Sequence, residues 1–249
     1  MIEWQLIKFE TLASTNKKAL EIIDSTAAEG TVIIAECQTG GHGRFGRKWY
    51  SLRGESLSFS VILYPPCIDK QLFLLPVLTG NALTAAIKKI SGVNALLKWP
   101  NDVLINNKKV CGVLIETKQI NERFAAVIGI GINVNNNQFP ENIADKATSI
   151  KLECGKEVST DDLLNTCLEE ISQRYKNFIS GKYDSIVQEA KQHSALIGKK
   201  VKIVSADKEI FGKAVDMDEV GALIVKLNSG TIQKFTTGEI NMVREAANE

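Results

Sequence analysis

One break in hydrophobic pattern, at Leu196-Ile197-Gly198, limits the folds open to this chain. Before it, strand-like and helix-like segments alternate. Ile2–Glu10 reads as a strand, and Ser14 is a helix N-cap for a segment running to about Ala28, with Gly30 as its stop. Runs 31–37 and Ser56–Leu63 read as strands, and 69–90 carries helical periodicity. Ala95–Trp99, Val103–Ile105, Val110–Thr117 and Phe124–Val134 read as successive strands, with Asn106-Asn107 as a hairpin turn. Thr160–Ile179 and Tyr183–His193 are amphipathic helices. After the break come only short β-patterned runs: Lys200–Val204, Ile210–Asp216, Ala222–Leu227 and Thr231–Thr236, in a stretch reaching Arg244. Such spacing suggests a small barrel. The chain therefore divides into an α+β domain over 1–195 and a β domain over 196–249. The second is near the lower limit for independent stability.

Composition narrows the function classes. A chain of 249 residues can bury one sizeable core and a small second one. A net charge of +1 argues against an electrostatic nucleic-acid binder while leaving room for a local cationic pocket. The N-terminus lacks a signal-peptide pattern, and no run approaches membrane-spanning length, so a cytoplasmic protein without membrane contact is expected. Cys37, Cys67, Cys111, Cys154 and Cys167 are dispersed, with no CxxC spacing. That favours reduced thiols over disulfides or zinc. With two histidines, a His-based metal cage or proton relay is not expected.

The chemically densest stretch is Gly40-Gly41-His42-Gly43-Arg44-Phe45-Gly46-Arg47-Lys48-Trp49. Its glycines permit backbone conformations closed to other residues, and its cations suit phosphate and carboxylate. It contains GxGxxG, but no helical period follows and no acid closes a second strand, so a dinucleotide fingerprint fails on context. A P-loop fails because Arg47-Lys48 stands where Lys-Ser/Thr is needed. A kinase loop lacks its VAIK, HRD and DFG partners. An anion-closing loop and a plain solvated turn remain.

Other segments are individually ambiguous. In Lys98-Trp99-Pro100-Asn101-Asp102, proline keeps Trp99 extended and leaves Asn101 and Asp102 at a strand mouth. Asn101 could read an adenine edge or order a loop, and Asp102 could help hold Mg²⁺. Pro-Asn-Asp is also an ordinary turn. Lys109 begins a strand containing Gly112, and Gly129-Ile130-Gly131-Ile132-Asn133 sets two glycines in an apolar run. These glycines suit either a ligand against the backbone or tight strand packing. Ser14-Thr15-Asn16 is a helix cap that could also offer polar partners to a small ligand.

Taken together, in this order and spacing, these segments resemble the biotin protein ligases over essentially the whole chain. The glycine–arginine loop followed by KWPND carries most of the resemblance. It implies an α+β fold: a mixed β-sheet catalytic domain with helices, of the class II synthetase-like, biotin/lipoate ligase type, plus a small C-terminal SH3-like β-barrel. It also implies ATP and biotin as substrates with Mg²⁺, and a biotin carboxyl carrier domain of acetyl-CoA carboxylase or a related carboxylase as acceptor. The catalytic region begins near Met1. The resemblance is therefore to the class without an N-terminal DNA-binding domain, with no nucleic-acid partner. Exposed strand edges leave room for a homodimer.

Residue by residue, the resemblance gives Arg44, Arg47 and Lys109 as the catalytic cations at the carboxylate–phosphate junction. Ser14, Thr15, Asn16, Gln38, Gly41, His42, Gly43, Arg44, Lys109 and Gly112 would bind biotin, with Ser14, Thr15 and Gln38 on its ureido ring. Arg44, Arg47, Trp49, Lys98, Asn101, Asp102 and Asn133 would face ATP, with Asp102 toward Mg²⁺. Trp49 is equally a candidate core residue. At His42 the family often has arginine, so its side chain is left out of the catalytic set. The enzymatic rival is a lipoate or octanoyl ligase, whose acyl tail needs no ureido partners. A second rival is a non-catalytic sensor of biotin or its adenylate.

Overall fold

The computed structural model describes residues 2–23, 27–66, 70–120, 123–205, 208–236 and 238–243. The order begins β1 (Gln5–Leu12), α1 (Thr15–Ile23), β2 (Thr31–Gln38), β3 (Ser56–Leu63), α2 (Leu74–Ser91), β4 (Leu96–Lys98) and β5 (Asp102–Ile105). It continues with β6 (Lys108–Ile120), β7 (Arg123–Asn133), α3 (Ile150–Cys154), α4 (Thr160–Ile179) and α5 (Tyr183–Gln192). Then come β8 (Lys200–Ser205), β9 (Lys208–Met217), β10 (Leu223–Leu227), β11 (Ile232–Phe235) and β12 (Glu239–Met242).

Two sheets result. The first runs β1-β2-β3-β7-β6-β5-β4, parallel between β1 and β2 and antiparallel elsewhere. The second is antiparallel, in the order β11-β10-β9-β8-β12. Mixed sheet, helices and small β unit are the architecture expected from the sequence.

Side-chain alternation sorts the first sheet into two faces. Val32, Ile34, Phe59, Val61, Ile128 and Ile130 join the main core with α2 and α4. Ile33, Ile62, Ala125 and Val127 join a smaller cluster with Ala19 and Ile23 of α1. On that second face, pairing aligns Ile33, Ser60, Gly129 and Leu114 in one row. The next row is Ala35, Ser58, Gly131, Gly112 and Asp102. Serines and glycines replace the bulk that would fill this end of the face. The gap is where the site forms.

Several sequence expectations shift. Helix α1 is described over Thr15–Ile23 and does not include Ala28, and Gly30 (φ 88°) lies in the turn into β2. Positions 24–26, Cys67, Asp69 and Arg244 lie outside the described residues. The 69–90 segment opens with a 3₁₀ turn at Lys70–Phe73 before α2. Among the described residues one helix, Gln71–Ser91, is long and apolar enough to cross a membrane, contrary to the sequence reading. Most of its apolar residues are instead buried in the main core, which accounts for a helix apolar on nearly every side. Asn106 (φ 49°) and Asn107 (φ 62°) form the expected hairpin turn, with both φ values positive as a type I′ turn requires. The outer side of β4 is covered, since Leu97 exchanges backbone hydrogen bonds with His193 and Ala195.

Between α2, α4 and α5 sits a buried ion network. Arg174 donates to Glu189 through Nε (3.0 Å) and also pairs with Glu170, which Lys89 contacts from α2. Burial alone would raise the Glu170 carboxyl, but its hydrogen bonds to Lys89 and Arg174 outweigh this and hold it below its ordinary value.

Candidate functional site

A cavity of about 1460 Å³ opens over the serine–glycine end of the sheet and reaches the second sheet. Its inner end is built by the start of α1. Ser14 is the N-cap at 3.5 Å from the Lys17 amide, and it buries Thr15 and Asn16 against β3 and β7. Gln38 at the end of β2 accepts at Oε1 from the Thr15 amide (2.8 Å) and lies 3.2 Å from its hydroxyl. The Ser60 hydroxyl lies 2.7 Å from Thr15 Oγ1 and 2.6 Å from Asn16 Oδ1. Asn16 Nδ2 donates to the Leu114 carbonyl (3.3 Å) and to Glu116 Oε2 (2.7 Å). A Cβ at Gly129 would overlap the Asn16 amide, so the row needs glycine there.

The glycine–arginine segment folds as a small arch. Trp49 N donates to Gly41 O (2.9 Å), Gly43 N donates to Arg47 O (2.7 Å), and His42 pairs across it with Lys48. Phe45 crowns the arch at φ 58°, a conformation bulky residues rarely adopt, and is 70 % exposed. Arg44 and Arg47 hold their guanidinium carbons 5.1 and 5.7 Å from its ring centre. Arg44 Nη1 also donates to Asn101 Oδ1 (3.0 Å), and Asn101 Nδ2 donates to the Val113 carbonyl (2.9 Å). Asn101 therefore ties the arch to β6. Gly41 packs closely on Gln38 Nε2 and the Trp49 carbonyl. The His42 ring sits 3.4 Å from the Gly40 carbonyl, a local contact within the arch.

Trp49 closes the middle of the cavity. Its ring lies on Gly131 and beside Gly112, and any side chain at 131 would overlap it. Its Nε1 is buried without a hydrogen-bond partner among the described protein atoms. Such an unmet donor costs about 1–3 kcal/mol. Lys109 lies 5.8 Å from the Trp49 ring centre and runs across Gly112. The glycines thus receive the protein's own Trp49 and Lys109 as close neighbours. Lys109 Nζ stands 2.6 Å from Asp102 Oδ1, an ion pair on the cavity wall. Asn133 Nδ2 donates to the Thr148 carbonyl (3.0 Å) and reaches the Lys109 carbonyl (3.5 Å). It orders the loop before α3 beside Lys109. Lys98 lines the cavity near Asp102.

All the sequence-selected residues except Gly41 line this one cavity, and Gly41 packs on two that do. Trp99 also borders the cavity but is otherwise buried in the main core, and its Nε1 donates to the Gly221 carbonyl (2.8 Å). Sequence reasoning missed Ser60 and Glu116, which act on α1 from distant strands. It also missed Lys199, Lys200 and Lys213 at the mouth. A signal for Ser60 existed: Ser56, Ser58 and Ser60 alternate with apolar residues in a fully buried strand.

For a metal, the described residues hold no cluster of three or more His, Cys, Asp or Glu side chains. Asp102 is the single sequence-selected carboxylate in the cavity wall beside the cations, and Lys109 already faces it. The cysteines are a poor source of chemistry: Cys111 and Cys167 are buried, and burial pushes both thiols up.

Comparison with known proteins agrees in both halves of the chain. The Biotin/lipoate A/B protein ligase family matches residues 9–133, and the biotin protein ligase C terminal domain matches 196–243. The bifunctional ligase/repressor BirA of Bacillus subtilis is 33 % identical over 240 residues, covering 95 % of this chain and 74 % of that protein. The biotin–[acetyl-CoA-carboxylase] ligase of Mycobacterium tuberculosis is 27 % identical over 237 residues, covering 90 % and 85 %. The biotin protein ligase of Aquifex aeolicus, solved in complex with biotin and ATP, superposes with a TM-score of 0.85 at 32 % identity. That match covers 96 % of this chain and 99 % of the other. This chain belongs to the biotin/lipoate A/B protein ligase family.

Proposed function

We infer that this chain is an ATP-dependent biotin protein ligase, acting on the biotin carboxyl carrier domain of a carboxylase. The observation that carries this reading is one cavity with two chemically opposite ends. A buried hydrogen-bonding end (Thr15, Asn16, Gln38) suits a small polar ring. A cationic end (Arg44, Arg47, Lys109) suits a carboxylate meeting a phosphate. A lipoyl or octanoyl tail would set apolar surface against this polar end and could not exchange hydrogen bonds with Thr15 or Gln38.

The assigned chemistry needs no side-chain nucleophile. A carboxylate oxygen of biotin attacks the α-phosphorus of ATP, the bond to the β-phosphate oxygen breaks, and pyrophosphate leaves. An acceptor lysine amine then attacks the acyl carbonyl. The bond to the phosphate oxygen breaks, AMP departs, and the new amide nitrogen loses a proton. Both steps gather negative charge around one phosphate, so positioning and fixed cations do the catalysis. Lys109 is held over Gly112 by Asp102, and Arg44 is held by Asn101. Each cation so placed is worth about 10²–10³ in rate. Mg²⁺ would be held by Asp102 at most on the protein side, and its role would be to neutralise phosphate charge.

The acyl-adenylate route and free cysteines among the described residues fit a reducing cytosol. A homodimer would use the outer edge of β1, since β4 is covered; sedimentation velocity tests it. The decisive assay supplies labelled biotin, ATP and a carrier domain, beside ATP–pyrophosphate exchange with biotin or lipoate. Biotin-dependent exchange and labelling of the carrier lysine are expected. Exchange with lipoate alone would make it a lipoate ligase, and binding without labelling would make it a sensor.

A further inference from the structure

We propose that a row of lysines on the C-terminal sheet docks an acidic face of the acceptor protein, a partner assignment that rests on the ligase reading above. Strand register sets the row. Lys200 of β8 stands directly opposite Lys213 of β9, and Lys213 stands directly opposite Lys226 of β10. Directly opposed residues share one face of a sheet, with Cβ atoms about 4.5–5.5 Å apart. All three lysines are exposed.

Like charges set directly opposite one another destabilise a sheet. Protection of a sheet edge against aggregation does not explain this row, because β8, β9 and β10 are all interior to the order β11-β10-β9-β8-β12. Nearby lysines are neutralised: Lys202 pairs with Glu209, Lys191 with Asp216 and Lys234 with Asp218. Among the described residues no carboxylate pairs with Lys213 or Lys226. An anionic partner laid along the row would relieve the repulsion.

Position and surroundings say what that partner is. Lys200 and Lys213 line the cavity mouth and Lys226 does not, so the row leads from the site outward across the face of the small sheet. Ile232, opposite Lys226, is 65 % exposed, and Phe211, on the same face opposite Lys202, is 42 % exposed. Lysines flanked by such apolar side chains suit a protein surface, and an isoleucine has no ring on which a nucleic-acid base could stack. The reaction supplies the need. An acceptor ammonium must approach Arg44, Arg47 and Lys109, which repel it. Carboxylates beside the acceptor lysine, seated on Lys213 and Lys226, offset that repulsion and carry the amine to the mouth.

The test uses the full chain with Lys226→Gln and Lys226→Glu, because Lys226 lies outside the cavity. The probe is a biotin carboxyl carrier domain with carboxylates flanking its target lysine, and biotin transfer is followed at low and high salt. The KM for the carrier should rise about threefold in Lys226→Gln and about tenfold in Lys226→Glu. Turnover at saturating carrier should hold at the wild-type value, as should biotin-dependent pyrophosphate exchange, which uses no acceptor. Added salt should raise the wild-type KM and shift that of Lys226→Glu far less. Neither variant should unfold at a lower temperature than wild type, since each removes a like charge. A carrier KM unchanged in Lys226→Glu would overturn the proposal, and so would a parallel loss of pyrophosphate exchange. Lys226-dependent binding of a DNA duplex, with the carrier KM unmoved, would give the row to nucleic acid instead. Absence of biotin-dependent exchange in the wild type would sink the ligase reading itself.

Discussion

Thr15, Asn16 and Ser60 are at most 3 % exposed and joined to one another by hydrogen bonds, whereas Phe45 at the crown of the arginine arch is 70 % exposed. The first group stands on a helix start and central strands. The second stands on a few backbone bonds within an arch, one arginine–asparagine contact and a strained phenylalanine. On the function proposed above, ring recognition would be built into the folded core, at the cost of burying polar groups that must all be satisfied. Charge would be delivered by a segment that can yield to the entry of a large nucleotide.

The largest expected effect breaks the cationic end alone. Lys109→Ala should reduce biotin-dependent pyrophosphate exchange by about 10³-fold, the scale of one preorganised charge-stabilising group. Its thermal midpoint should stay near wild type, because Lys109 is partly exposed. Exchange within a few-fold of wild type would remove Lys109 from the mechanism.

Next comes a control remote from both ends. Glu170→Gln should cost about 3 kcal/mol in denaturant unfolding at neutral pH, because it leaves Arg174 with an uncompensated share of a buried network. The carboxyl is lowered in the folded state, so its stabilisation is complete above its ordinary 4.5 and lost as pH falls through the lowered native value. The gap between wild type and variant should therefore narrow in acid. Turnover of the folded variant should be normal, and a catalytic defect would show that helix layer and site are coupled.

A smaller effect tests the buried end. Gly129→Ala should weaken biotin binding by about 30-fold while sparing ATP, because the new methyl must push aside Asn16. Equal weakening of both ligands would mean that the sheet, and not the polar end, had moved. Smallest of all, Phe45→Ala should change adenylate retention only about threefold. It removes two exposed cation–ring contacts worth roughly 0.5–1 kcal/mol each and relieves some backbone strain.

The two ends also differ in how far they could be read from sequence. The arginine arch was conspicuous because glycine and charge concentrate in ten consecutive residues. Its pairing of His42 with Lys48 was not, since no apolar alternation marks so short a hairpin. The buried end was half visible: Ser14-Thr15-Asn16 read as a cap and ligand site. Its determinants Ser60 and Glu116 are 44 and 100 residues from Asn16, joined to it only by sheet register. Long uninterrupted patterns such as Ser56–Leu63 and Thr160–Ile179 were placed to the residue. By contrast α3, five residues long, is too short to show a period, although Ser149 caps it. Strand β12, at four residues, escaped for the same reason.

Amide hydrogen exchange, with and without biotin and ATP, tests most directly the contrast between a finished polar end and a closing charged end. Without ligand, amides of Ser56–Leu63 and Arg123–Asn133 should be protected and those of 41–48 should exchange rapidly. Adding both ligands should slow exchange in 41–48 by at least about tenfold and leave the two strands unchanged. Arch amides already protected before ligand, or unaffected by it, would contradict the account.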